Sequence, residues 1–572
     1  MKPWQKILLV VVVIGIISLI AFVAVVYNLI TAEPTIHKHS YLIMEVSGPV
    51  LEYPPVDFVA QLAVKPVKSL TQMLENIQKA RVDKRIDGII LKIFVSDANW
   101  GKLQELRAAL SRFKATGKKV FVYSEYLANS HYYLATVADS IFMPPCGMLL
   151  FSGLASEQVF VKNTLKKLGI KENIIKIEKY KTATEFFQND RMSPENRRMT
   201  EWLLDDQFND FITTIANDRN LKPKAVKSLL NRLLFSAKDA QQAGLIDSVL
   251  YWDELEEKLK ARGERRFRSV NSSTYAQIRP ESVGLRGKVK IAVIHAQGAI
   301  NWGENGFDPL FGLRMGSATM VRLIKSAQKA KGIKAIIFRI DSPGGNGIAS
   351  DAISHQIEIA AKKKPVIVSM CDVAASGGYM IAYRAPVLVA NPGTYTGSIG
   401  LFSMKFNLKG FYDKLGITKD FVTRGKHATF YSDYRDFTPA EKQILIRNSW
   451  DFYNTWIENI AKFRHLRVGQ VDSLARGRVW TGRQAKQNGL IDVLGDLETA
   501  IEIAKKKAGI SKEVPVKLVH YPRRKGFLES LLSKNFLTIS SRHPEVLLYR
   551  LLGRLETTMQ QCQWLPWMWI SK

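Results

Sequence analysis

What the chain has little of narrows its chemistry first. Its 572 residues include three cysteines, Cys146, Cys371 and Cys562. They are too few for a disulfide framework and none stands at metal-ligand spacing, so a disulfide-stapled scaffold and a zinc module are both excluded. Cys371 ends an apolar run with no glycine after it, and reads as a buried thiol rather than a nucleophile. The nine histidines match no triad motif, and His427 is the nearest of them to a candidate base. Acidic residues are scarce: 52 Asp and Glu against 82 Lys and Arg leave a net charge of +30. That excess fits a polyanionic neighbour. No nucleic-acid-binding motif accompanies it, so the expected partner is an anionic lipid bilayer and not nucleic acid.

Charge is absent altogether from Ile7 to Ile30. At a rise of about 1.5 Å per residue this run spans the roughly 30 Å core of a bilayer as a helix. No small-x-small cleavage site follows it, so it reads as an uncleaved transmembrane anchor rather than a signal peptide. Lys2 and Lys6 precede the run and Glu33 is the first charge after it. The positive-inside rule puts the N-terminus in the cytoplasm and the remaining mass outside. In a bacterium that means the inner membrane, with the main body on the periplasmic side.

The rest is repetitive. Ile89-Ile90-Leu91-Lys92-Ile93 is matched by Ile336-Ile337-Phe338-Arg339-Ile340, and Ala243-Gly244-Leu245-Ile246-Asp247 by Asn488-Gly489-Leu490-Ile491-Asp492. A repeat this long is a duplicated domain, not a solenoid unit. Each half alternates helix and strand patterns. Leu70, Met73, Leu74 and Ile77 line one helical face, with Ser69 and Gln72 placed for a capping box. Met320, Leu323, Ile324 and Ala327 repeat the idea. The apolar runs that follow do not alternate, as in strands covered on both faces. The fold class is α/β, built as tandem domains. The expected division is a cytoplasmic stub and anchor over 1–34, a first repeat over 35–260, a basic exposed linker over 261–288, a second repeat over 289–510 and a tail over 511–572. The tail carries Trp564, Trp567 and Trp569, residues that favour a membrane interface. Trp302, Phe307, Leu310 and Phe311 lie in a glycine-rich stretch that suits an apolar substrate, a membrane face or packing between protomers equally well.

Between Ala335 and Gly400 the second half holds two glycine turns. One is Asp341-Ser342-Pro343-Gly344-Gly345 and the other Ala375-Ser376-Gly377-Gly378. Glycines let backbone N–H groups face a developing oxyanion, and a serine beside them is placed as a nucleophile. The first half has Ser130 opposite Ser376, but His131 and Tyr132 replace the glycines, and Val95-Ser96-Asp97-Ala98-Asn99 replaces the other turn. Ser130 therefore reads as a relic. A serine nucleophile needs a base, and a lysine serves when burial or nearby positive charge keeps it neutral. Lys181 and Lys426 compete for that role. Lys181 follows Ser130 at nearly the distance at which Lys426 follows Ser376, so spacing does not choose between them.

The motifs Ser342-Pro343-Gly344-Gly345 and Ala375-Ser376-Gly377-Gly378-Tyr379 resemble peptidase family S49, and the likeness runs over roughly residues 40 to 510. The resemblance implies the fold shared by the Clp proteolytic subunit and the crotonases. It implies a serine endopeptidase acting on signal peptides left in the membrane after precursor processing, without metal or cofactor. It implies Ser376 as nucleophile, with Gly377 and Gly345 or Gly344 as oxyanion donors. In the family's two-repeat form the base lies in a Tyr-Lys-Ser/Thr-Ala segment of the first repeat. Tyr180-Lys181-Thr182-Ala183 matches it and selects Lys181. Ser398 corresponds to the serine that hydrogen-bonds the lysine amine. A bowl-like homo-tetramer is the implied assembly. Two other readings share parts of the pattern: a crotonase-type acyl-CoA enzyme and a non-catalytic anchored scaffold.

Overall fold

The protein is described by a computed structural model that covers residues 33–55, 68–261, 265–308 and 312–523, with residues 14, 15 and 18. Nearly all of the apolar run Ile7–Ile30 and of the tryptophan-rich tail therefore lies outside the described residues. Among the described residues no helix is long and apolar enough to cross a membrane.

The first half folds around a parallel six-stranded sheet. Its strands are β1 (Ser40–Gly48), β2 (Ile86–Ser96), β3 (Lys119–Tyr123), β4 (Ser140–Met143), β5 (Ser248–Val249) and β6 (Ser269–Asn271), in the spatial order β5-β4-β3-β2-β1-β6. Helices α1 (Leu70–Val82), α2 (Trp100–Lys114) and α3 (Asn129–Ala135) connect its central strands. The second half repeats the plan with β7 (Val289–Gln297), β8 (Ile333–Ser342), β9 (Val366–Ala375), β10 (Val387–Ala390), β11 (Val493–Leu494) and β12 (Val516–Tyr521). The order is again β11-β10-β9-β8-β7-β12. Helices α4 (Ser317–Lys329), α5 (Gly347–Ala361) and α6 (Gly377–Met380) take the places of α1, α2 and α3. The same order of six strands recurs, and the second sheet adds Tyr395–Gly397 beside β9 and Val479–Thr481 beyond it, so the duplication is a property of the fold and not only of the sequence.

The local reasons are legible. β8 and β9 are buried along nearly their whole length, which is why they carry no polar alternation. In α1 the Ser69 hydroxyl accepts from Gln72 N–H, the expected half of a capping box. The other half is absent, because the Gln72 side chain donates to Glu75 instead. Within the stretch read as an exposed linker, β6 pairs with β1, and Tyr275 and Ile278 are buried. Likewise β12, in the stretch read as tail, completes the second sheet beside β7. Each sheet thus has a short edge strand, late in its repeat, that pairs in parallel with the repeat's first strand.

The two repeats share their cores. Cys371 of β9 is buried in the hydrophobic cluster of the first repeat, and Ile177 of the first repeat in that of the second. An antiparallel strand pair also joins them: Lys171–Lys176 of the first repeat runs against Phe402–Asn407 of the second.

Candidate active site

Ser376 directly follows β9, at the entrance to α6. Its backbone has φ 55° and ψ −119°, a conformation that non-glycine residues rarely adopt. The Ser376 N–H donates to Gly397 O at 2.8 Å, and Tyr379 N–H and Met380 N–H bond back to the Ser376 carbonyl. The strained turn therefore has partners on both sides, and it presents the hydroxyl at the C-terminal edge of the sheet, where ligands of parallel α/β folds sit.

The glycine turn after β8 lies against it. Ser342 Oγ donates to Gly298 O at 2.7 Å and accepts from Gly344 N–H at 3.2 Å. Ile300 N–H donates to Gly344 O, and Asn346 N–H to Ile300 O. Gly345 has φ 150°, and a Cβ there would sit 2.2 Å from Ile300 O. Only glycine fits. A Cβ on Gly377 would lie 3.0 Å from Gly345 N, and one on Gly344 2.7 Å from Gly377 N. The Gly345 and Gly377 amides thus share one small space beside Ser376.

Lys181 arrives from the other repeat. The pair of strands Lys171–Lys176 and Phe402–Asn407 carries the chain to the edge of the second sheet. There Ile177 N–H donates to Leu401 O and Tyr180 N–H to Arg476 O. The Arg478 guanidinium lies over the Tyr180 ring at 4.0 Å, and Trp202 packs between Tyr180 and Trp480. Lys181 Nζ is 2.9 Å from Ser376 Oγ, 2.9 Å from Ser398 O and 3.0 Å from Ser398 Oγ. Ser398 is held in the left-handed region, φ 51°, with its N–H donating to Arg478 O. The lysine is 3% exposed, and burial pulls its amine down to about 7.

The competing groups stand elsewhere. Lys426 is exposed on a surface turn. His427 Nδ1 is 3.1 Å from Glu441, a carboxylate that Arg435 also pairs. Cys371 is buried, and burial raises its thiol well above the usual range. Ser130 lies in α3 without the positive φ of Ser376, and His131 beside it accepts from Ser96 N–H. Among the described residues no cluster of His, Cys, Asp and Glu is arranged to hold a metal. Nothing along the chain signals that Tyr180, Arg478 and the paired strands carry Lys181 to Ser376. Their contacts cross the repeats, and no local pattern marks them.

The family model described as Peptidase family S49 matches residues 112–265 and 358–511, one segment in each repeat. The chain belongs to peptidase family S49. It is 33% identical over 504 residues to "Serine protease SPPA, chloroplastic" of Arabidopsis thaliana, covering 87% of this chain and 73% of that one. To "Protease 4" of Haemophilus influenzae it is 32% identical over 452 residues, covering 75% and 71%. Among solved structures, ClpP1 of Listeria monocytogenes matches 36% of this chain and 94% of its own at 15% identity, with a TM-score of 0.24. As an S49 member the protein is a serine peptidase, which sets aside the acyl-CoA enzyme and the inert scaffold.

Proposed function

We propose that this S49 protein is a membrane-anchored endopeptidase with a Ser-Lys dyad, Ser376 as nucleophile and Lys181 as general base, acting on signal peptides and similar apolar peptides. The observation that carries the reading is the 2.9 Å approach of a buried, easily deprotonated Lys181 amine to Ser376 Oγ. Neutral Lys181 takes the Ser376 proton as Oγ attacks the peptide carbonyl carbon. The C=O electrons move to oxygen, which lies between the Gly345 and Gly377 N–H groups. Gly344 shapes that turn rather than donating, since its own N–H is taken up by Ser342. Collapse breaks the C–N bond, and the Lys181 ammonium returns the proton to the leaving amine. Water repeats the cycle on the acyl-enzyme. Ser398 offers two oxygens to the amine and fixes its direction.

Location and assembly extend the same reading. The charge-free run Ile7–Ile30 and the excess of Lys and Arg support a single-pass anchor in a bacterial inner membrane, with the peptidase body on the periplasmic side. The division into anchor, two repeats, joining segment and tail is part of it. The duplication supports a reading of the assembly as well. Strand Lys171–Lys176 pairs with Phe402–Asn407 inside the chain. The equivalent stretches one repeat away, around 418–423 and 155–160, are in no strand, and they expose Phe421, Val422 and Val159. Pairing them between copies would be a head-to-tail contact, the kind that makes a ring when its rotation closes, and this supports reading the assembly as a homo-tetramer.

Peptide hydrolysis by purified Ser376→Ala, Lys181→Ala and Lys426→Ala, each checked for folding, tests the dyad. Loss in the first two with retention in the third is expected. Activity in Ser376→Ala would overturn the nucleophile, and loss in Lys426→Ala alone would move the base to the second repeat.

A further inference from the structure

The first repeat sends a second lysine into the second one. Lys102 stands in the first turn of α2, which lies across the strands that lead to the two glycine turns. Its Nζ is 3.0 Å from Asp341 Oδ2 and 2.8 Å from Asp372 Oδ2, and its N–H donates to Asp372 Oδ1 at 2.7 Å. All three side chains are largely removed from solvent, at 9%, 12% and 2% exposure. The helix is pressed onto the strand: a Cβ on Gly101 would sit 2.6 Å from Cys371 O.

The two aspartates mark a bulge. In the β8–β9 pairing Ile340 faces Met370, but Ser342 faces Ala374. Asp341 alone therefore stands opposite Cys371, Asp372 and Val373. A bulge bends its strand and re-aims the residues beyond it. Beyond this bulge lie the reacting groups. Asp341 precedes Ser342-Pro343-Gly344-Gly345, and Asp372 lies in the run that ends at Ser376. Asp341 has other duties in the same place, since Oδ1 accepts from Val373 N–H at 3.3 Å and its carbonyl accepts from Gly298 N–H at 3.0 Å. Among the described residues, the Lys102 ammonium is the cation that forms ion pairs with both carboxylates.

We infer that Lys102 is a positioning residue for acyl transfer: its ammonium ties the oxyanion turn to the nucleophile strand and sets where the Gly345 and Gly377 N–H groups lie relative to Ser376 Oγ. This rests on the roles proposed above for those three residues. Burial pushes the Asp341 carboxyl up to about 6, even though Lys102 draws it down, and Asp372 adds to the rise. Without the ammonium the two acids repel or share a proton, and the bulge loses its fixed geometry. A shift near 1 Å at reacting groups lowers a rate by up to about 100-fold.

Lys102→Met alone would strand two buried carboxylates. The test therefore uses the neutral triple variant Lys102→Met, Asp341→Asn, Asp372→Asn, with Lys102→Arg as the second variant. For the folded triple variant, kcat should fall about 10- to 100-fold with KM within about twofold of the parent. The Ki of a peptide aldehyde, whose adduct oxygen needs the oxyanion donors, should rise by the same factor as kcat falls. A merely structural role would lower the folded fraction and leave all three constants of the folded protein unchanged, and that result overturns the inference. If the triple variant does not fold, Lys102→Arg decides by the same readouts: a kcat and aldehyde effect without a KM effect supports the inference, and parental constants overturn it. Ser376→Ala runs beside them. Activity there would sink the nucleophile reading itself, whatever Lys102 does.

Discussion

Lys181 Nζ and Ser376 Oγ meet at 2.9 Å although they are 195 residues apart and belong to different repeats. The proposed dyad is thus complete only when both copies of the duplicated domain are folded and docked. The first repeat has lost its own glycine turns, and what it keeps is the lysine, its strand and the contacts that deliver them.

Burying that lysine has an energetic cost that can be measured. Its amine falls from the ordinary 10.5 to about 7 through loss of solvent. Between those values the unfolded chain binds the proton and the folded one does not, so folded stability rises with pH across this window. Below pH 7 the penalty is complete, at most about 5 kcal/mol. Lys181→Met should therefore abolish peptide hydrolysis while raising the unfolding midpoint at pH 6, and the gain should vanish towards pH 10.5. Denaturant or thermal unfolding of both proteins across pH checks this. A midpoint difference that did not change with pH would mean that the lysine is not buried uncharged.

In the proposed mechanism the same amine sets the pH dependence of turnover. With its neutral form as the proposed base, kcat/KM should climb with pH through an acid limb near 7. Ser398 accepts from Lys181 through both its carbonyl and its hydroxyl. Removing the hydroxyl takes away an acceptor that favours the charged amine, so Ser398→Ala should shift the limb to lower pH. It also frees the amine to turn away from Ser376, and kcat should drop roughly tenfold, the worth of about one hydrogen bond. A pH–rate profile of the two proteins reads both effects. An acid limb unmoved by the substitution would remove Ser398 from the account.

Much of this was legible along the chain, and what was hidden has a physical cause. The buried runs Ala335–Ile340 and Pro365–Met370 announced strands covered on both faces, and the glycines near Ser376 announced the turns. The choice between Lys181 and Lys426 was not open to spacing, because it depends on which strand crosses to the other repeat. That crossing pairs residues 402–407 with 171–176 through backbone bonds, which leave little mark on side-chain type. The edge strand Ser269–Asn271 was hidden for a related reason. Three residues, two of them polar, make no pattern of their own and become a strand only beside Tyr41–Ile43.

Gly345 should tolerate no side chain. Its φ of 150° is open to glycine, and a Cβ would press against Ile300 O at 2.2 Å. Gly345→Ala must push the turn away from Ser376 and take its N–H out of line. Loss of one oxyanion donor lowers kcat by about 100- to 1,000-fold. We expect a fall in that range with little change in KM, measured by steady-state hydrolysis on protein whose unfolding midpoint has been recorded. A parental kcat would exclude the Gly345 N–H as a donor.

Arg339 binds the repeats together from inside. It is fully buried in the middle of β8, with Nε 3.1 Å from Glu52 Oε1, Nη2 2.5 Å from Glu105 Oε2 and Nη1 donating to Ser369 Oγ at 2.8 Å. Both glutamates come from the first repeat and are themselves buried. Burial alone would raise the Glu52 carboxyl, but His295 and Arg339 together hold it well below the usual range. Arg339→Met keeps the volume and removes the cation. It leaves Glu105 without its ion-pair partner and Glu52 with His295 alone, and breaking a buried pair this way costs about 3–5 kcal/mol. Equilibrium unfolding should show that loss. Adding Glu105→Gln to Arg339→Met should recover part of it, because the stranded charge and not the missing contact is the larger penalty. No recovery in the double variant would show that the guanidinium acts through packing between the repeats rather than through its charge.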